Sequence, residues 1–100
     1  MPQSKLGKTQ RHHLRQLAHE IKPLVIIGNK GLTESVMEEI NLALEHHELI
    51  KVRVNAADKA QRSSMIEKIQ QHCDAMIVIT IGHIVGLYKQ ADEPKIILPK

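Results

Sequence analysis

The stretch Pro23-Leu24-Val25-Ile26-Ile27-Gly28-Asn29-Lys30-Gly31-Leu32-Thr33 decides how this chain of 100 residues is read. Four apolar residues with no polar interruption, bounded by Pro23 and Gly28, predict a short strand buried on both faces, as a central strand of a mixed or parallel sheet is. Gly28-Asn29-Lys30-Gly31 breaks it. Thr33 then has the hydroxyl to cap a helix running to about His46, with Val36, Met37, Ile40, Ala43 and Leu44 on its buried face. The glutamates fall on its other side, and Leu42 lies off the buried face.

Upstream, a helix is predicted from an N-cap at Thr9 to about Ile21, because Leu14, Leu17, Ala18 and Ile21 recur at the spacing of one buried stripe. Pro23 stops it by pushing the residue before it out of the helical region. Lys8, Arg11, Arg15 and Lys22 fall within roughly 60° of one another on the helical wheel, about 110° from the apolar stripe. Residues 1–7 read as a mobile tail. Downstream, Leu49 to about Asn55 alternates Ile50, Val52 and Val54 with Lys51, Arg53 and Asn55, so one face is buried and the other partly solvated and basic. A third helix, about Ala60 to His72, offers Met65, Ile66 and Ile69 to the core. Ala75 to Ile81 is an apolar strand that turns through Gly82-His83 into Ile84–Tyr88 as a hairpin. Residues 93–100 read as a short extra strand or an extended tail. The fold class is α/β: a small single-domain sandwich of order αβαβαββ, a mixed four-stranded sheet with helices packed on it.

Composition narrows the function. Fourteen Lys and Arg against eleven Asp and Glu give a net charge of +3, but the distribution is polarised. Residues 1–31 set Lys5, Lys8, Arg11, Arg15, Lys22 and Lys30 against Glu20 alone, whereas residues 32–48 carry Glu34, Glu38, Glu39, Glu45 and Glu48 with no Lys or Arg. A basic surface paired with a separate acidic one suits an anionic partner, of which nucleic-acid phosphate is the commonest. With no Phe, no Trp and one Tyr, a sheet that stacks bases on several aromatic rings is excluded. Contact must rest on backbone, charge and hydrogen bonds.

The chemistry-bearing residues point the same way. Two glycines let the backbone of Gly28-Asn29-Lys30-Gly31 turn sharply and approach a ligand with no Cβ in the way, ahead of a helix N-terminus that favours phosphate. Lys30 adds a charge and Asn29 a donor, while Glu34 in the first helical turn opposes an anion mildly. KH domains clamp a nucleic-acid backbone with such a loop; taken alone, the pattern is more often a plain turn. A nucleotide-hydrolase loop needs a longer spacing and a Gly-Lys-Ser/Thr ending. The pairs His12-His13 and His46-His47 diverge by about 100° on a helix, so no metal set is implied. Cys73 reads as a buried, inert thiol, and Ser63 and Ser64 as polar surface. No cofactor, metal or enzymatic activity is implied. The lone cysteine, the absence of an apolar leader and the lack of a bilayer-length apolar run suggest a cytoplasmic protein without membrane contact.

The run Pro23 to Thr33, followed by Glu45-His46-His47-Glu48-Leu49-Ile50-Lys51-Val52, resembles the chloroplast RNA splicing and ribosome maturation (CRM) domain, and most of all its stand-alone bacterial form, the YhbY proteins. The resemblance spans about Leu6 to Leu98. It implies a fold similar to the C-terminal domain of bacterial translation initiation factor three and binding to rRNA in precursors of the large (50S) ribosomal subunit. In plant relatives it implies group II intron splicing. It points to Gly28, Asn29, Lys30 and Gly31 as RNA contacts, with Lys51 in the second motif. The stripe Lys8, Arg11, Arg15, Lys22 and the strand residue Arg53 extend the contact on the residues' own pattern. The expectation is a monomeric, non-catalytic RNA-binding protein in ribosome biogenesis, with no small-molecule substrate and with ribosomal proteins as further partners. The competing expectation is an adaptor whose acidic second helix docks on a basic ribosomal protein or assembly factor.

Overall fold

The computed structural model describes residues 7–28, 31–92 and 94–98. Its elements are α1 (Lys8–Glu20), β1 (Pro23–Ile27), α2 (Glu34–His47), β2 (Leu49–Val54), α3 (Lys59–Cys73), β3 (Met76–Ile81) and β4 (Ile84–Tyr88). The order αβαβαββ is the expected one. The cap of α1 differs: Gly7, not Thr9, is the N-cap, and its N–H donates to Gln10 Oε1 at 3.1 Å. The helix begins two residues early because the Gln10 side chain takes up that amide.

The strands form one sheet in the order β1-β2-β4-β3, with β1 and β2 parallel and the other pairs antiparallel. Val25, Ile27, Ile50, Val52, Val54, Val85 and Leu87 pack on one face against Ile40 and Leu44 of α2 and Ile66, Ile69 and Cys73 of α3. On the opposite face Leu49, Val78 and Tyr88 pack against Leu14 and Ala18 of α1, joined by Ile96 and Leu98. The result is three layers, with helix on both sides of the sheet.

Here β1 departs from expectation. It is an edge strand, and Leu24 and Ile26 are 51 % and 60 % exposed. A four-residue apolar run does not reveal whether a second layer covers it; α1 packs on β2, β3 and β4 and leaves the outer face of β1 open. Both edge strands are irregular. Pro23 pairs with Lys51 and Val25 with Val52, leaving Leu24 as an extra residue. Likewise Ile77 pairs with Leu87 and Ile79 with Gly86, leaving Val78 as a bulge. The bulge turns Val78 and Ile79 to the same side, against α1. Its carbonyl accepts Arg15 Nε at 3.0 Å. Opposite it, Gly86 has no room for a side chain, since a Cβ there would sit 2.6 Å from Ile79 Cγ2.

The junction of α2 and β2 is a single residue, Glu48, at φ 63°. It is fully buried rather than part of the solvated acidic face expected of the second helix. Its carboxylate accepts the backbone N–H groups of Ala91, Lys95 and Ile96, each at 2.7 Å. Three charge-assisted bonds offset the desolvation of the anion and the positive φ. They also explain the C-terminal segment: the described residues 94–98 form no strand, and their course is set by the Glu48 bonds and by Ile96 and Leu98 in the α1 cluster.

Candidate functional site

Because β1 and β2 are parallel, the β1–α2 and β2–α3 connections leave the same end of the sheet. There Gly31 N–H donates to Gly28 O at 3.0 Å and Thr33 N–H to Gly31 O at 3.2 Å, so the chain reverses within a few residues. Gly31 has φ 75°, which glycine alone adopts without strain. Gly28 is different. A Cβ added there meets nothing within 4 Å, so the fold itself does not demand glycine at 28. Asn29 and Lys30, expected to carry the contact, lie outside the described residues.

The neighbouring connection is tied to this one by Asn55 N–H donating to Ile27 O at 3.2 Å. Between them lies a concave pocket of about 370 Å³, lined by Gly28, Gly31, Asn55, Ala57, Gln61 and Met65. The two helix starts differ electrically. The α3 start is closed by Asp58, whose carboxylate accepts Gln61 N–H at 2.8 Å, while Gln61 Oε1 accepts Ala57 N–H at 2.7 Å. The α2 start is capped by a neutral group, the Thr33 hydroxyl, which accepts Val36 N–H at 3.2 Å. An anion is therefore favoured on the Gly28–Gly31 side, with Glu34 as the one opposing charge in the first turn of α2.

Of the basic residues singled out, Arg53 belongs to this end. It pairs with Ile26, two residues before Gly28, and its exposed guanidinium donates from Nε to Asn55 Oδ1 at 3.2 Å. Lys51 does not share its exposure: it is only 8 % exposed, so the solvated basic face expected of β2 contracts to Arg53. The alternation of β2 holds, but the face holding Lys51 is the one that α1 shares. Two residues of the first-helix stripe, Arg15 and Lys22, are not brought to the loop either. Arg15 is bonded to β3, the opposite edge, three strand spacings or about 14 Å across the sheet. Lys22 precedes β1 and is a strand length from its other end, about 17 Å. Lys8 is exposed and Arg11 half-buried, both on the N-terminal part of α1.

Two residues join the loop end that sequence reasoning passed over. Arg62 of α3 reaches His83 of the β3–β4 turn, Nη1 to Nδ1 at 3.1 Å. The His83 carbonyl accepts Val54 N–H at 2.7 Å, which fixes the turn to the end of β2. No spacing in the sequence links positions 62 and 83; only the sheet order does. Elsewhere, burial pushes the Cys73 thiol up, with Lys89 pulling it partly back, and Cys73 Sγ lies 3.9 Å from Met37 Sδ. Among the described residues no cluster of His, Cys, Asp or Glu has the makings of a metal site. No helix among them is long and apolar enough to cross a membrane.

A three-layer αβαβαββ domain with a Gly-x-x-Gly turn between its first strand and second helix is a defined class of small α/β protein. The chain belongs to the CRS1 / YhbY (CRM) domain family, whose profile matches residues 6–89. It is 46 % identical to an RNA-binding protein of Haemophilus influenzae, over 95 % of this chain and 96 % of that one. A probable RNA-binding protein of Bacillus subtilis is 33 % identical over 86 % of this chain and 90 % of its own. A solution structure from Staphylococcus aureus, described as a candidate RNA-binding protein, superposes with a TM-score of 0.78 at 31 % identity, covering 95 % of this chain and all of that one.

Proposed function

We propose that this protein binds RNA without catalysis and acts in ribosome biogenesis as a cytoplasmic monomer, gripping rRNA of large-subunit precursors. The observation that carries the reading is Gly28: it is a glycine the fold does not need, beside a neutrally capped helix start and an exposed arginine. A missing Cβ there keeps the surface clear for a sugar-phosphate backbone. Gly28, Asn29, Lys30 and Gly31 form the contact, the two glycines by leaving the backbone open to approach and Lys30 by its charge, and Arg53 extends it along β2. Phosphate contacts of this kind position without specifying bases, so affinity falls steeply with salt and varies modestly with sequence. The names of the bacterial relatives support the RNA part of the reading.

Sedimentation of a lysate on sucrose gradients at low and raised salt tests it. Co-migration with a large-subunit precursor, lost at raised salt or after RNase, is the expected result. Migration at the top of the gradient under all conditions removes the ribosomal assignment. In purified protein, Lys30→Ala lowers both affinity and salt slope; an unchanged slope removes the loop from the contact.

One observation favours a second reading. Leu42 is 49 % exposed on α2, with Glu38, Glu39 and Glu45 exposed one turn to either side. An apolar residue inside an acidic patch suits a basic ribosomal protein or assembly factor. Binding that survives RNase and is abolished by charge reversal at Glu38, Glu39 and Glu45 would establish that adaptor role.

A further inference from the structure

The outer face of the sheet carries a second surface. Ile26 pairs with Arg53, Arg53 with Ile84, and Ile84 with Ile81, so these four side chains form one row across all four strands. The row lies on the face that α1 shares, but at the other end: α1 packs on Leu49, Val78 and Tyr88, leaving Ile26 60 % and Ile81 48 % exposed and Ile84 half-buried. It ends two residues from Gly28.

We infer that this row receives the bases of an unpaired RNA segment whose backbone is held at the Gly28–Gly31 turn. The inference rests on the RNA-binding reading above and adds where the bases lie. Charge complementarity selects the occupant. No strand of the sheet contains an acidic residue, and the one charge in the row is Arg53. The bond from Arg53 Nε to Asn55 Oδ1 holds the guanidinium plane, and such planes stack on bases. Aliphatic side chains on either side supply the apolar contact that a chain without Phe or Trp cannot draw from rings. A duplex hides its base faces and gains nothing from this row. Single-strand preference is thus a property of the isoleucines, separate from the phosphate contacts.

The experiment compares binding of poly(A) RNA and of a poly(A)·poly(U) duplex to the full chain, over a salt series. The variants are Ile26→Thr, Ile81→Thr and Arg53→Lys. Threonine keeps the β-branched shape, so the strands are retained, and circular dichroism melts verify it. The wild type is expected to prefer poly(A). Each threonine variant is expected to lose about fivefold in affinity for poly(A), with an unchanged salt slope because no phosphate contact is lost. Arg53→Lys keeps the charge and the slope but loses affinity. Equal binding of wild type and both threonine variants to poly(A) overturns the row while leaving RNA binding intact. Failure of the wild type to bind either RNA at low salt overturns the RNA reading itself and this inference with it. A dimer in sedimentation equilibrium that Ile26→Thr dissociates, with RNA affinity unchanged, assigns the row to a second copy of the chain instead.

Discussion

The Glu48 carboxylate accepts the backbone N–H of Ile96 at 2.7 Å across 48 residues of chain, and the same side chain holds Ala91 and Lys95. Glu48 is thus the connection between the α2–β2 junction and the segment that covers the α1 cluster. Glu48→Gln puts an NH2 group against backbone donors and removes the charge from the remaining bonds. The expected loss is about 2–4 kcal/mol in urea unfolding, with faster hydrogen exchange at Ala91, Lys95 and Ile96. Glu48→Gly sets the two effects at this site against each other. Glycine relieves the positive φ and removes the three bonds, so a stability equal to wild type would show that the carboxylate does no more than offset the backbone strain.

Gly86 is required by contact rather than by φ. Gly86→Ala drives a Cβ to 2.6 Å from Ile79 Cγ2 at the β3 bulge. Overpacking at a site closed by α1 is expected to cost about 1–3 kcal/mol. Thermal unfolding measures it, and Ile79→Ala in the same chain, which removes Cγ2, should make the Gly86→Ala cost smaller than it is beside isoleucine.

Gly28 and Gly31 should behave oppositely. Gly28→Ala leaves the melting temperature within error, because the added Cβ meets open space, and lowers RNA affinity roughly fivefold, about the worth of one hydrogen bond. Gly31→Ala lowers stability by about 1 kcal/mol through its φ of 75°. Loss of fold in Gly28→Ala would contradict the assignment.

Lys51 and Arg53 form a second contrasting pair. Arg53→Ala reduces the logarithmic salt slope of RNA binding by about 1 with the fold intact. Lys51→Ala instead costs about 1 kcal/mol of stability through its buried stem and leaves the slope unchanged.

Alkaline pH destabilises the protein in two stages. Burial pushes the Cys73 thiol above its ordinary 9.0, and burial followed by the charge of Glu48 pushes the Tyr88 phenol above its ordinary 10.0. The Tyr88 hydroxyl is buried with no partner among the described residues. Above those values the unfolded chain has released protons that the folded chain retains. Stability is therefore complete below about pH 9 and falls as pH rises towards the folded values, Cys73 first. Urea unfolding at constant ionic strength follows it, and Cys73→Ala moves the onset up to that of Tyr88.

The helices, the hairpin at Gly82-His83 and the strand order along the chain were legible because each depends on local period and punctuation. The exposure of Leu24 and Ile26 was not, because it depends on where α1 crosses the sheet, a relation between distant parts of the chain. Lys51 followed the alternation correctly yet lies under cover for the same reason. Glu48 did leave a trace. A helix passes directly into a strand there, where a left-handed residue, usually glycine, is expected, and a glutamate in that place signals a compensating bond. Of the loop end, the Gly28–Gly31 turn was visible in the sequence, whereas the meeting of Arg62 and His83 needed the folded sheet.

The paired irregularities of the two outermost strands bear on solubility. A sheet with isoleucines exposed at both borders is a template on which further chains could add as strands, the route to fibrils. On the β1 side, Pro23 lacks an N–H and Leu24 breaks the register; on the β3 side, Val78 does so and its carbonyl is already occupied by Arg15. Neither border presents an unbroken ladder to a neighbour. The protein can therefore keep apolar side chains in water for a ligand while denying them to self-assembly, and restoring regularity by deleting Leu24 or Val78 should trade that protection for aggregation.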